Sequence, residues 1–174
     1  MKLSSAQDHF TLFGLVPAYA LDSAALEGAY RDIQARIHPD RFAGAGQAEK
    51  RASMQWTTRV NEAYRILREP VQRAKYLLEL HGIDVGFETN TAMPGAFLAR
   101  QMELRESLGE AVETAALDAL GAQLAKDRSL LESALGAQID AEKDYAAAAG
   151  LLRELQFLRR FGEEIEAAYE VMER

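Results

Sequence analysis

His38 and Asp40, one residue apart across Pro39, are the side chains of this sequence best suited by type to chemistry. An imidazole beside a carboxylate is part of an acid–base relay, which needs a hydroxyl or thiol nucleophile within reach. No Ser or Cys stands beside the triplet, and the two side chains are expected to diverge across the proline, so no catalytic site is expected here. A binding role needs less. Pro39 has no amide hydrogen and a fixed φ, so a helix arriving at it must stop. Its ring excludes the α region for His38 and turns the imidazole away from the helix barrel. Asp40 is then an acceptor-only carboxylate on a rigid turn, suited to an arginine fork or to backbone amides of another surface. The plainer alternative makes Asp40 the N-cap of the next helix and His38 a solvated helix end.

Other chemistries find little support. Cysteine is absent from the 174 residues, which removes disulfides and thiolate ligation and fits a reducing compartment. The three histidines, His9, His38 and His81, form no pair at ligand spacing, so neither a metal nor another cofactor is expected. Gly44-Ala45-Gly46 lacks the lysine and the spacing of a phosphate cradle. Residues 1–85 carry 11 Lys/Arg against 10 Asp/Glu, and residues 86–174 carry 9 against 17. An acidic second half repels nucleic acid, and no basic stripe with interleaved aromatics appears. The N-terminus has no signal-peptide pattern, and no apolar run reaches membrane-spanning length. A soluble protein that binds other proteins is expected, with no membrane or nucleic-acid partner.

The triplet must be positioned by its flanking elements. Leu26, Tyr30, Ile33 and Ile37 mark one helix face, and Ala52, Trp56, Val60, Ala63 and Leu67 mark another, so an antiparallel hairpin carries His38-Pro39-Asp40 at its tip. The first helix of the hairpin starts at Asp22, with Leu21 and Leu26 spaced as a hydrophobic staple, and the second near Gln47. A short helix over Asp8 to Leu15 precedes them. Pro70 ends the long helix, Val71 to Leu80 forms another, and Gly82 stops it. Residues 81–93 read as a joint in which Ile83, Val85 and Phe87 pack between two domains. Pro94 suits the first position of a new helix with Phe97, Gln101, Leu104, Leu108 and Ala111 as its seam. A second begins near Thr114, with Leu117, Leu120, Leu124, Leu131, Leu135 and Ile139 inside. After a turn near Asp140 to Asp144, a third repeats Leu151, Leu155, Leu158, Ile165, Tyr169 and Met172. The fold class is all-α: a four-helix domain over 1–80, a joint over 81–93 and a three-helix antiparallel bundle over 94–174. No period-two alternation suggests a strand.

With these residues in view, the first half resembles the J-domain family, co-chaperones of DnaK-type ATPases. The resemblance rests on His38-Pro39-Asp40-Arg41 at the tip, Asn61-Glu62-Ala63-Tyr64 with Leu67, Pro70, Arg73-Ala74 and Tyr76. Asp8-His9-Phe10-Thr11-Leu12-Phe13-Gly14-Leu15, the run from Arg73 to Gly82, and Phe97-Leu98 with the run from Gln101 to Glu106 are similar to the HscB-type subfamily over nearly the whole chain. The resemblance implies a non-enzymatic co-chaperone of iron–sulfur cluster assembly. It would stimulate the ATPase of a dedicated DnaK-type chaperone (HscA-like) and deliver a cluster scaffold protein (IscU-like) to it. The lack of cysteine agrees, since the co-chaperone need not touch the cluster. It also sets the chain apart from eukaryotic relatives with a cysteine-rich N-terminal module, so the resemblance implies a bacterial-type cytoplasmic protein, expected as a monomer.

The resemblance also implies sites. The chaperone-binding set is His38, Pro39, Asp40, Arg41, Arg31 and Arg36. The two helical arginines lie about 140° apart at 100° per residue, on opposite flanks of the buried stripe, so electrostatic attraction should be thin. The scaffold-binding set is Leu98, Ala99, Met102, Glu103, Glu106, Glu110 and Phe157. Spacing puts Leu98 and Met102 one step off the core seam, where they either stay exposed or broaden the core face, and spacing alone favours the second. Ala99 stands where the family often has a larger apolar residue. Three rivals remain: a J-domain co-chaperone for a different client, a plain helical scaffold protein whose triplet is incidental, and, least favoured, a hydrolase using His38 and Asp40.

Overall fold

Pro39 and Pro70 set the helix boundaries of the first half, and a computed structural model gives the result for residues 7–42, 44–86 and 94–172. Every regular element among the described residues is helical. The chain divides into two compact units, Met1–Leu77 and Leu78–Arg174.

In the first unit, α1 (His9–Leu12) is shorter than the expected Asp8 to Leu15. Asp8 caps it from outside, accepting the Thr11 amide at 2.9 Å and the Thr11 hydroxyl at 2.6 Å. Beyond Leu12 the chain turns through Gly14 at φ +71°, a conformation that ends a helix. α2 (Ser23–Ile37) starts from Asp22, whose carboxylate accepts the Ala24 and Ala25 amides at 2.9 and 3.1 Å. It buries Leu26, Ile33 and Ile37, while Tyr30 is half-buried and stacks on Tyr64 at 4.0 Å. A single 3-10 turn, Pro39–Phe42, follows.

α3 (Gln47–Arg68) completes the hairpin and buries Val60, Ala63 and Leu67 as expected. Ala52 is exposed, and Ser53 takes the inner position instead. Both flank the apolar stripe, and the end of α2 covers the Ser53 flank, where the Ser53 hydroxyl donates to the Ile37 carbonyl. Glu69 ends α3, and its carboxylate accepts the Val71 and Gln72 amides at 3.2 and 2.7 Å, which caps α4 (Pro70–Leu80). Pro70 therefore opens the new helix, where a missing amide hydrogen costs nothing. Gly82 follows at φ +74°.

In the second unit, Ile83 is half-buried and Val85 buried, while Phe87 lies outside the described residues. α5 (Gly95–Glu110) takes Pro94 as its N-cap rather than as its first helical residue, and the Pro94 carbonyl accepts the Phe97 and Leu98 amides. α6 (Thr114–Gly136) leads to the expected turn within Asp140 to Asp144, but not directly. It widens into a π-helical stretch, Ala137–Glu142, that keeps Ile139 buried, and the chain reverses at Lys143 with φ 57°. α7 (Tyr145–Met172) completes an antiparallel three-helix bundle. Its core gathers Leu104 of α5, Leu117 and Leu124 of α6, and Leu158, Phe161 and Ile165 of α7. Leu152 and Phe161 are fully buried, although the seven-and-four pattern selects Leu151, which is only half-buried.

Candidate functional site

At the hairpin tip, His38 leaves α2 with φ −55° and ψ 132°, the extended conformation that a following proline imposes. The 3-10 turn then brings Asp40 back toward the imidazole. The His38 Nδ1 atom lies 3.4 Å from Asp40 Oδ2 and accepts the Asp40 amide at 3.3 Å. The expected divergence of the two side chains is thus incorrect, because a tight turn at residues 39–42 folds residue 40 over residue 38. Nδ1 faces the turn, and the Asp40 side chain is 90 % exposed. Such a carboxylate has room to accept hydrogen bonds from another surface.

The arginines are placed less favourably for attracting a partner. Arg31 is exposed and pairs with Glu27 one turn away at 3.7 Å. Arg41 reaches back to donate to the Ala35 carbonyl at 2.9 Å, so it caps α2 as well as flanking Asp40. Arg36 is exposed beside Asp32 and Ala35. The hairpin beneath is tied by polar contacts: Tyr30 Oη donates to Asn61 Oδ1 at 3.1 Å, and Gln34 Nε2 donates to Tyr30 Oη at 2.7 Å.

On the bundle, Leu98 and Met102 are 46 % and 74 % exposed, so they do not broaden the core face. One step around the helix proved enough to carry them to solvent, because Phe97, Leu104 and Leu108 already fill the α5 contribution to the core. Ala99, Glu103, Glu106 and Glu110 are exposed beside them. Phe157 is half-buried on α7, edge-on to Phe97 at 5.6 Å and parallel to Phe161 at 6.1 Å. The spacing did not single out Arg105. Its guanidinium lies 5.7 Å over the Phe157 ring and 3.7 Å from Glu164. Arg105 is three residues from Met102 and seven from Leu98, so it occupies the same flank of α5. Arg100 joins Glu103 at 3.2 Å and Asp127 at 3.3 Å, which ties the rim to α6. The face is an apolar pair with a largely acidic border. Among the described residues no group of His, Asp and Glu could hold a metal ion, and no helix is long and apolar enough to cross a membrane.

Known proteins share this fold. Residues 93–166 match a family described as the HSCB C-terminal oligomerisation domain. A Co-chaperone protein HscB homolog of Burkholderia vietnamiensis is 49 % identical over 98 % of this chain and 99 % of its own length. Chaperone HscB from Vibrio cholerae superposes with a TM-score of 0.83 at 32 % identity, covering 95 % of this chain and 99 % of that one. Human co-chaperone protein HscB superposes with a TM-score of 0.90 at 29 % identity, covering 95 % and 83 %. Identity near one half that runs through both units, with the same helical fold, leaves one assignment: the chain belongs to the HscB family of co-chaperones.

Proposed function

We propose that this chain is a J-domain co-chaperone of iron–sulfur cluster assembly. Residues 1–80 act as a J-domain that stimulates the ATPase of a dedicated DnaK-type chaperone. Residues 81–93 act as a joint, and residues 94–174 as a bundle that brings a cluster scaffold protein to that chaperone. The chain performs no reaction itself. The observation that carries this reading is the Asp40 carboxylate, 90 % exposed on a turn held between two helices. A charge in that setting adds little to folding, so its value lies in recognition. His38, Pro39 and Arg41 shape the turn, and Arg31 and Arg36 supply a weak positive flank.

The client surface is Leu98, Ala99, Met102, Glu103, Glu106 and Glu110 of α5 with Phe157 of α7. An exposed apolar anchor inside a charged border is a common organisation for small protein interfaces. The bacterial relatives support a cytoplasmic site of action. Asp40→Asn tests the reading, since it removes the charge and keeps the shape. Steady-state ATPase assays with the DnaK-type chaperone should lose most of their stimulation, while helicity is kept and stability, read from the thermal melt, stays within about 1 kcal/mol of the parent. Normal stimulation by Asp40→Asn would overturn the J-domain assignment. Stimulation that ignores added scaffold protein would leave a J-domain co-chaperone with another client.

A further inference from the structure

The His38 amide closes the last helical turn of α2 on the Gln34 carbonyl at 3.0 Å, and Pro39 leaves the carbonyls beyond it without helical donors. Two of these are met by side chains. The Arg41 guanidinium donates to the Ala35 carbonyl at 2.9 Å. The Ile37 carbonyl, the one nearest the tip, accepts from the Ser53 hydroxyl of α3 at 2.6 Å. Ser53 is 4 % exposed. Other hydroxyls on α3 behave differently: Thr57 and Thr58 donate to the carbonyls of Ser53 and Met54, four residues back on their own helix, at 2.9 and 3.1 Å. That is the usual outlet for a helical hydroxyl. Ser53 forgoes it and crosses to the other arm of the hairpin.

The atom it holds matters. The Ile37 carbonyl and the His38 amide belong to one planar peptide. Ser53 fixes one edge of that plane, and the hydrogen bond to the Gln34 carbonyl fixes the other. From this plane the chain runs through His38 and the fixed φ of Pro39 to Asp40, so few soft torsions separate the anchor from the exposed carboxylate. We infer that Ser53 is a positioning residue for chaperone engagement, which holds the tip in the orientation in which Asp40 is presented. This rests on the reading of the tip as a chaperone contact. Its effect is on binding: a tip that is already ordered loses less conformational freedom when it docks.

The test compares Ser53→Ala and Ser53→Thr in the full chain. Ala removes the donor. Thr keeps the hydroxyl and adds a methyl group at a buried position, so it disturbs the packing without removing the hydrogen-bond donor. In nitrogen-15 relaxation, the amides of His38 and Asp40 in Ser53→Ala should fall from order parameters near ~0.85 toward ~0.6, with α2 and α3 unchanged. In ATPase titrations, the concentration of Ser53→Ala giving half-maximal stimulation should rise about three- to tenfold with the plateau kept. Ser53→Thr should titrate like the parent even if it melts lower. A tip as ordered in Ser53→Ala as in the parent, an unchanged half-maximal concentration, or a Ser53→Thr protein impaired as much as Ser53→Ala would each overturn the inference. Failure of the parent chain to stimulate any DnaK-type chaperone would instead overturn the J-domain reading, and the relaxation result would still report on Ser53.

Discussion

His38 and His9 illustrate how differently two imidazoles are used in one small unit. His38 accepts the Asp40 amide and braces an exposed turn, a role set by residues 39–42 rather than by anything buried. His9 is half-buried, stacked on the Tyr76 ring at 4.2 Å, and its backbone amide donates to Tyr76 Oη at 3.0 Å. Its Nδ1 atom is buried with no hydrogen-bond partner among the described residues. Burial pushes the His9 pKa below 6.5, and Arg59 acts in the same direction, while Glu62 and Asp8 oppose them. A base whose folded pKa is depressed is favoured in its neutral form by folding. Below about 6.5 the unfolded chain therefore binds more protons than the folded one, and stability falls as pH falls through that window. His9→Phe keeps a ring against Tyr76 and removes the titration. It should flatten the loss of melting temperature between about pH 7.5 and 5.5 relative to the parent chain. Equal pH slopes for the two proteins would show that His9 stays as readily protonated in the fold as in the unfolded chain.

Helix α5 carries the sharpest contrast between spacing and structure. Leu98 and Met102 satisfy a helical apolar rhythm yet stand in solvent, 46 % and 74 % exposed. If they serve as anchors, changing both to Ala removes contact area from a scaffold protein without opening a cavity in the bundle. Scaffold affinity should fall by about 2 kcal/mol or more, while the bundle loses less than about 1 kcal/mol. A core pair would lose roughly 4 kcal/mol or more on the same change. Thermal melts and scaffold titrations on one preparation separate these outcomes, and a large drop in melting temperature would return the pair to the core. Most element boundaries were legible, because Asp22, Pro39, Pro70 and Gly82 act through backbone rules that need no tertiary partner. What spacing missed depends on neighbours. The choice of Ser53 over Ala52 is made by the end of α2, and the burial of Phe161 by the faces of the bundle. The π-helical stretch after α6 leaves the apolar rhythm intact and so has no signature in it. Of the candidate sites, the tip could be read from backbone rules around Pro39, whereas the α5 face required knowing which apolar residues were already used inside.

At the scale of the whole molecule, chemistry is segregated along the chain. The first 85 residues are nearly neutral and present Asp40, whereas the remainder carries 17 acidic against 9 basic residues and presents Leu98 and Met102. On the function proposed above, the chaperone contact and the client contact lie on separate units, and the chain would act as a tether. The benefit of a tether comes from covalent linkage, which raises the effective concentration of client at the chaperone without any new contact. This distinguishes a tether from two independent activities that share a polypeptide. Asp40→Asn should still bind scaffold protein, and the Leu98→Ala, Met102→Ala double variant should still stimulate the chaperone when no scaffold is present. An equimolar mixture of the two should fail to restore the extra stimulation that scaffold gives with the parent chain, because neither polypeptide holds both partners. The measurement is the ATPase rate at scaffold concentrations below saturation, where linkage matters most. Full restoration by the mixture would mean that the two surfaces act independently, and linkage of the units would then contribute nothing to client delivery.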